Sequence, residues 1–467
     1  MKNMRLWDIV LMNVTAIIGL RWLPVAAQYG AASTSYWILA ALVFFIPLGL
    51  ISSELATTWP DQGGMYIWVR KAYGEKSAFI TSWFYWLCNL FYFPSILTAS
   101  AVVIAFLIDP ALKNNKLYVC SSVLVIFWIL TLFNFKSLKT GKWLSNLSGS
   151  VGTILPGLTI IGLGVMSSLF WRRPVPTDFS LCSWLPSLGS TAGLSNFSML
   201  MFAMAGIELT PILAGETENP QKTFPRATVI SALIIAGVYI IATTALTLII
   251  SPEKIGAASG VMDATKLLAD ELQIKYLVGA MAVMILIGNF GGISVWIVCP
   301  IKMLFESTKQ GVFPQAVTRL NREGMPQNAL LIQAVFMTII VLLTSFFPSV
   351  DAIYQALVLM ATITYFIPYL LMFGAFIKLR KSFPDAVRPY RVPGAAPGAW
   401  AVTILGFSSV LLAIGLSFVP SGTFDTKMAL YLNELGIGLG PLAFGLLGFM
   451  IYWTYEWRLG IDPESEV

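Results

Sequence analysis

The chain has 467 residues with 29 Lys and Arg against 23 Asp and Glu, and only 11% of it is charged, where a soluble domain carries about 25%. Apolar residues make up 57% and mean hydropathy is +0.78, more apolar surface than a soluble fold with so few charges can cover. This excludes a string of soluble domains. Because the basic residues stand in short clusters between long apolar runs, membrane topology explains the +6 net charge better than a nucleic-acid-binding stripe does.

A bilayer-spanning helix needs about 20 mostly apolar residues. In chain order, spans are predicted at 9–28, 36–57, 79–107, 117–134, 147–170 and 194–214, then at 227–250, 276–305, 329–347, 353–379, 400–418 and 437–457. The reading is an all-α polytopic membrane protein of about twelve helices, with no hydrophilic stretch long enough for a soluble domain. The N-terminus has Lys2 and Arg5 ahead of an apolar run, as a signal peptide does. Arg21 interrupts that run and many equally apolar segments follow, so it reads as a retained first helix.

With the N-terminus in the cytoplasm, 20 Lys and Arg fall in inside segments and 8 in outside ones. The positive-inside rule then places both termini in the cytoplasm. There is no His, which removes imidazole proton relays and His-ligated metals. Neither a metal nor a cofactor is expected. The cysteines, Cys88, Cys120, Cys182 and Cys299, form no CxxC pair and mostly lie in apolar segments, where they read as small core residues. A Cys120–Cys182 disulfide on the outside is the minority alternative.

Two spans, the first and the sixth, are interrupted by Gly beside an ionisable residue. The first reads Ala16-Ile17-Ile18-Gly19-Leu20-Arg21-Trp22-Leu23-Pro24, and the sixth Phe202-Ala203-Met204-Ala205-Gly206-Ile207-Glu208-Leu209-Thr210-Pro211. Gly tolerates non-helical angles and Pro removes a backbone donor, so both helices are expected to unwind. Irregular backbone at membrane depth survives only where it is buried in protein or lines a cavity. Broken helices five spans apart are the pattern of inverted-repeat transporters, and simple proline kinks are the alternative.

Four further stretches carry a family resemblance. Ser53-Glu54-Leu55-Ala56-Thr57-Thr58-Trp59-Pro60-Asp61-Gln62-Gly63-Gly64-Met65-Tyr66 follows the second span, and Gly206-Ile207-Glu208 leads to Glu218-Asn219-Pro220. Gln310-Gly311-Val312-Phe313-Pro314 and Asn321-Arg322-Glu323-Gly324-Met325-Pro326 follow the eighth, and Arg388-Pro389-Tyr390-Arg391-Val392-Pro393-Gly394 follows the tenth. In this order they resemble the amino acid–polyamine–organocation (APC) transporters of the LeuT-like fold. Trp296-Ile297-Val298-Cys299-Pro300 and Phe133-Asn134-Phe135 are similar to the bacterial glutamate/GABA antiporters. The resemblance implies one membrane domain with a first repeat at 1–170, a second at 194–379 and two extra helices at 398–457. Only residues 459–467 follow the last predicted helix, so acid gating by a C-terminal plug is not expected.

An amino acid crossing a membrane brings an ammonium and a carboxylate, each costly to desolvate alone. Free amides at a helix break serve the carboxylate, and free carbonyls serve the ammonium. The resemblance assigns these roles to Ile17, Ile18 and Gly19 in the first span and to Ala205, Gly206 and Ile207 in the sixth, with Gly19 alone matching the usual Gly-Ser-Gly. Arg21 has two readings. It holds a substrate carboxylate by a bidentate bond, or it is structural, paired with Glu208 or Glu54 or placed in the outer vestibule. The resemblance also implies Glu208 as a coupling and proton-sensing carboxylate, Phe202 as an outer-gate aromatic and Trp296 as a substrate contact. Thr364 and Tyr365 are the inner-gate candidates.

Some proton-driven relatives carry a Lys in the fifth helix, but no Lys occurs between Lys142 and Lys222 here. Asp8 lies too near the cytoplasmic end to serve a sodium ion at the first break. The expected activity is therefore exchange of one amino acid, acidic or zwitterionic, for another or for its decarboxylated amine. The alternatives are a cationic amino acid or polyamine exchanger and a proton-coupled permease. No nucleophile–base or metal constellation points to an enzyme. The expected partners are the substrate and the bilayer, with a homodimer left open and no nucleic acid.

Overall fold

A computed structural model of the chain describes residues 4–61, 63–134, 146–169, 174–186, 191–308, 311–321, 326–419 and 427–459. Of the sequence motifs, Gln62, Phe135, Gln310 and residues 322–325 lie outside the described residues, as do the side chain of Cys299 and the tail from 460 onward. The regular structure among the described residues is helical, with a single isolated bridge between Met4 and Thr217.

The first predicted span is two helices, α1 (Leu6–Ile17) and α2 (Trp22–Ala27). Its start is fixed by Asp8, which accepts the Arg5 backbone N–H at 2.9 Å and sets a negative charge in the first turn. The second span, Ala32–Thr58, joins α3 (Ala32–Ala40) to α4 (Ile46–Thr58) through a π-helical turn. Next come the short α5 (Met65–Tyr73), the long α6 (Glu75–Ile108), α7 (Lys116–Asn134) and α8 (Leu155–Leu169). The sixth span begins as α9 (Thr191–Ala203) and resumes as a 3₁₀ stretch, Thr210–Glu216, not as α-helix. Then follow α10 (Pro220–Ile249), α11 (Gly260–Leu272), α12 (Leu277–Thr308), α13 (Gln315–Thr318), α14 (Gln327–Thr344), α15 (Val350–Ser382), α16 (Ala395–Leu416) and α17 (Lys427–Leu459). The helices α5, α11 and α13 lie in connections that the sequence reading left undivided.

Among the described residues, 8 helices are long and apolar enough to cross a membrane, while α1, α7 and α12 contain shorter apolar stretches. Burial separates centre from rim. The apolar stretches of α6 and α15 are each 83% buried, whereas that of α16 is 33% buried. The rim helices turn large apolar side chains such as Ile404, Leu411 and Leu442 outward, as a lipid-facing surface requires. Where α12 crosses the turn leading into α8, Gly152 meets Gly288 backbone to backbone, a contact that a side chain on either residue would block. Cys88, Cys120 and Cys182 are all free, so the Cys120–Cys182 disulfide does not form.

A set of buried polar contacts ties the first, second, sixth and seventh spans into one group. Asn13 of α1 donates to Ser231 of α10 at 3.1 Å and accepts from Thr210 of the sixth span at 3.1 Å. Trp37 of α3 donates its indole N–H to Thr243 of α10 at 3.0 Å. Hydrogen bonds formed away from water hold such a group in register, because breaking one strands a buried donor or acceptor.

Candidate functional site

Both predicted breaks are present, and they meet. At the end of α1 the Ile18 N–H still reaches back to the Val14 carbonyl at 2.9 Å, after which Ile18 turns extended. Ile17 also lies within α1. Of the three amides assigned to a substrate carboxylate, only that of Gly19 has left the helical ladder. It donates to the Tyr239 hydroxyl at 3.2 Å.

Tyr239, on α10, was not anticipated. Its hydroxyl faces the Ile17 carbonyl at 2.7 Å and the Ala203 carbonyl at 3.0 Å, the last residues of α1 and α9. One phenol therefore bridges the two helix ends and accepts from Gly19. Its ring lies flat on Trp37, with centroids 4.4 Å apart and planes 2° from parallel. A tyrosine in an apolar helix has no spacing signature, so only the three-dimensional arrangement exposes it.

At the sixth-span break Gly206 has φ 122°, a conformation that L side chains rarely adopt. Its N–H donates to the Tyr369 hydroxyl at 3.2 Å. A methyl group added there would sit 3.2 Å from Ile17 and 3.4 Å from Trp296, so the break packs directly on the end of α1. Trp296 is buried and donates its indole N–H to the Ala16 carbonyl at 3.0 Å, satisfying another acceptor that the end of α1 leaves open. Ile18, Ala205 and Ile207 are buried around the same point, and the Ala205 N–H still bonds the Phe202 carbonyl at 3.0 Å.

Arg21 is buried, and its guanidinium lies 4.4 Å from the centre of the Trp22 ring and 4.9 Å from that of Tyr92. Cation–π contact lowers the cost of burying the charge without cancelling it. Its guanidinium is hydrogen-bonded to the Tyr92 hydroxyl, but its Nε has no hydrogen-bond partner among the described residues. Neither carboxylate that the sequence offered as its counter-ion reaches it. Glu54 instead takes Arg380 Nε at 2.8 Å, the Val392 N–H at 2.6 Å and Arg388 at 3.4 Å, holding the 388–394 loop to the end of α4. Glu208 is fully buried and accepts from the hydroxyls of Tyr85, at 2.9 Å, and Tyr365. Arg380, Tyr85 and Tyr369 are thus further residues that no motif had singled out.

Aromatic rings close the space around the breaks. Phe202 stands edge-on to Trp22 at 5.7 Å, to Tyr365 at 5.7 Å and to Tyr92 at 6.2 Å. Tyr365 in turn packs on Trp296 at 5.3 Å. Thr364 does not join this cluster through its hydroxyl, which bonds the Met360 carbonyl of its own helix at 2.9 Å. Among the described residues no group of three or more Cys, Asp and Glu could hold a metal ion.

The result is two opened helix ends, a buried guanidinium without an acidic partner among the described residues and a buried carboxylate clamped by phenols. A family model described as amino acid permease matches residues 4–440. An uncharacterized transporter of Legionella pneumophila is 34% identical over 426 residues, covering 91% of each chain. A probable agmatine/putrescine antiporter of Lactococcus lactis is 27% identical over 92% of this chain and 90% of its own. A glutamate/gamma-aminobutyrate antiporter of the same species is 23% identical over 100% of this chain and 93% of its own. With its helical fold and paired breaks, the chain belongs to the amino acid permease family, within the APC superfamily, and resembles the glutamate/GABA antiporters.

Proposed function

We propose that the chain is an antiporter of the bacterial inner membrane that exchanges an amino acid with a free carboxylate for another amino acid or for its decarboxylated amine. The observation that carries this reading is Arg21, a buried cation beside the first break with no acidic partner among the described residues. A carboxylate would supply the missing charge through a bidentate pair, whereas a polyamine dication would be repelled. The Gly19 N–H, now on Tyr239, is the amide that a substrate carboxylate would take over, with Trp296 and Phe202 beside it. The Ile17 and Ala203 carbonyls would serve the ammonium.

Movement would follow from how the polar contacts are distributed. The first, second, sixth and seventh spans are joined to one another by Asn13, Trp37 and Tyr239. They meet α6, α12 and α15 through Glu208 with its two phenols, the Gly206–Tyr369 bond and the Trp296–Ala16 bond. In this reading the first group rocks as a unit against the rest, as two five-helix repeats would allow, and Glu208 is the proton-sensitive catch between them. The charge bias of 20 to 8 supports cytoplasmic termini.

A second reading rests on Glu208, whose buried carboxylate could instead be the counter-charge for an amine, making the protein a cationic amino acid or polyamine exchanger. Counterflow into proteoliposomes, screened across acidic, neutral and basic amino acids and their amines, separates the two. Uptake of acidic or neutral amino acids supports the first reading, and uptake restricted to basic amino acids and polyamines replaces it with the second.

A further inference from the structure

At the junction of α15 and α16, well away from the helix breaks, lies a cavity of about 630 Å³ lined by Arg380, Lys381, Arg388, Arg391, Trp400 and small apolar residues. Four cations face it and none of its lining residues is acidic. Glu54 neutralises only one of the four charges. Arg380 and Arg388 are committed to the local structure: besides Glu54, Arg380 reaches the Ala395 carbonyl at 3.1 Å and Arg388 the Phe383 carbonyl at 2.7 Å. Burial holds the Arg388 guanidinium below its ordinary range, and the like charges of Arg380 and Arg391 add to this against the pull of Glu54.

Lys381 and Arg391 are different. Both are exposed, and neither forms an ion pair with a described residue. Lys381 sits with its ammonium 5.2 Å from the centre of the Trp400 ring. From Trp400 an exposed apolar stripe continues along α16 through Ile404, Phe407 and Leu411, at the three- and four-residue spacing that keeps one helix face. A tryptophan between a cationic cavity and an apolar stripe marks the height at which headgroup gives way to hydrocarbon.

We propose that this cavity holds the phosphate of an anionic phospholipid, clasped by Lys381 and Arg391, with an acyl chain along the Trp400–Leu411 face of α16. A free phosphate would satisfy the cations but has no use for the apolar stripe, and a zwitterionic lipid brings no net charge to offset theirs. Basic pockets between membrane helices on the cytoplasmic side are known to select anionic headgroups by this means.

The test uses the purified full-length protein, with phosphatidylglycerol, phosphatidylcholine and inorganic phosphate as separate probes. Native mass spectrometry reads retained lipid, and the thermal midpoint reads stabilisation. The wild type is expected to retain phosphatidylglycerol and be stabilised by it, and by neither of the other probes. In K381Q/R391Q, which leaves the Arg380–Glu54–Arg388 cluster intact, capture should weaken roughly 30-fold, since each cation near an anionic surface contributes about fivefold. The charge-keeping K381R/R391K should retain the lipid. Equal capture of phosphatidylglycerol by the wild type and K381Q/R391Q, or equal stabilisation by phosphatidylcholine, overturns the proposal. Inorganic phosphate protecting as well as the lipid overturns the lipid assignment. The comparison of the three probes on the wild type stands even if the double variant fails to fold.

Discussion

Replacing Glu208 by Gln changes the contact between the two helix groups in a calculable way. Both phenols, Tyr85 at 2.9 Å and Tyr365, donate to the same carboxylate oxygen. Gln keeps an oxygen in that place but removes the charge, so each bond falls from charge-assisted to neutral, about 1 kcal/mol apiece. Two such bonds amount to about 2 kcal/mol, a roughly 30-fold change in the balance between conformations that keep the contact and those that break it. A proton arriving on Glu208 does the same thing, so the Gln variant should behave at every pH as the wild type does in acid. The assay is exchange rate against pH in proteoliposomes, with substrate binding measured separately. Gln should flatten the profile and still bind, whereas Ala should do more damage by removing the acceptor that two buried phenols share. A Gln variant with the full wild-type pH dependence would refute the sensing role and leave Glu208 as architecture.

Three other substitutions probe separate parts of the account. Arg21→Ala should weaken binding of acidic amino acids by roughly 10- to 150-fold, the equivalent of one lost bond to a charged group. Lys should rescue poorly, because it lacks the planar fork that lies against Trp22 and Tyr92; unchanged affinity in titration calorimetry would make Arg21 structural. Tyr239→Phe removes the hydroxyl between Ile17, Ala203 and Gly19, at a cost of about 1–3 kcal/mol for stranded buried groups. It should lower the thermal midpoint and slow exchange, and a variant normal in both would show that the bridge is dispensable. Gly152→Ala drives a methyl into the Gly288 backbone and should cost about 1–3 kcal/mol by overpacking. Gly162→Ala on the same span meets nothing within 4 Å and should be neutral to slightly stabilising, so equal midpoints for the two would contradict the close crossing at Gly152.

What the sequence made legible is what one-dimensional chemistry controls. Long apolar runs fix membrane helices, and Gly19 and Gly206, each beside an ionisable residue and a proline, mark where two of them open. The polar partners were another matter. Arg21 and Glu208 are conspicuous as charges in apolar runs, but distance in sequence says nothing about whether they pair, and they do not. Tyr239, Tyr85 and Tyr369 look like ordinary aromatics until their hydroxyls are seen to meet the broken helix ends. Glu54 belonged to a recognisable loop, yet its partners Arg380 and Arg388 come from more than 300 residues away. The 3₁₀ form of Thr210–Glu216 was also hidden, since Pro211 forbids one backbone bond without saying which helix replaces it.

The central claim is exchange across the paired breaks, and it is tested most directly by uptake of labelled amino acid into proteoliposomes that are either empty or preloaded with unlabelled substrate. Obligate exchange predicts rapid uptake into the loaded vesicles and none into the empty ones, with no response to an imposed sodium gradient. Concentrative uptake into empty vesicles driven by sodium would contradict it.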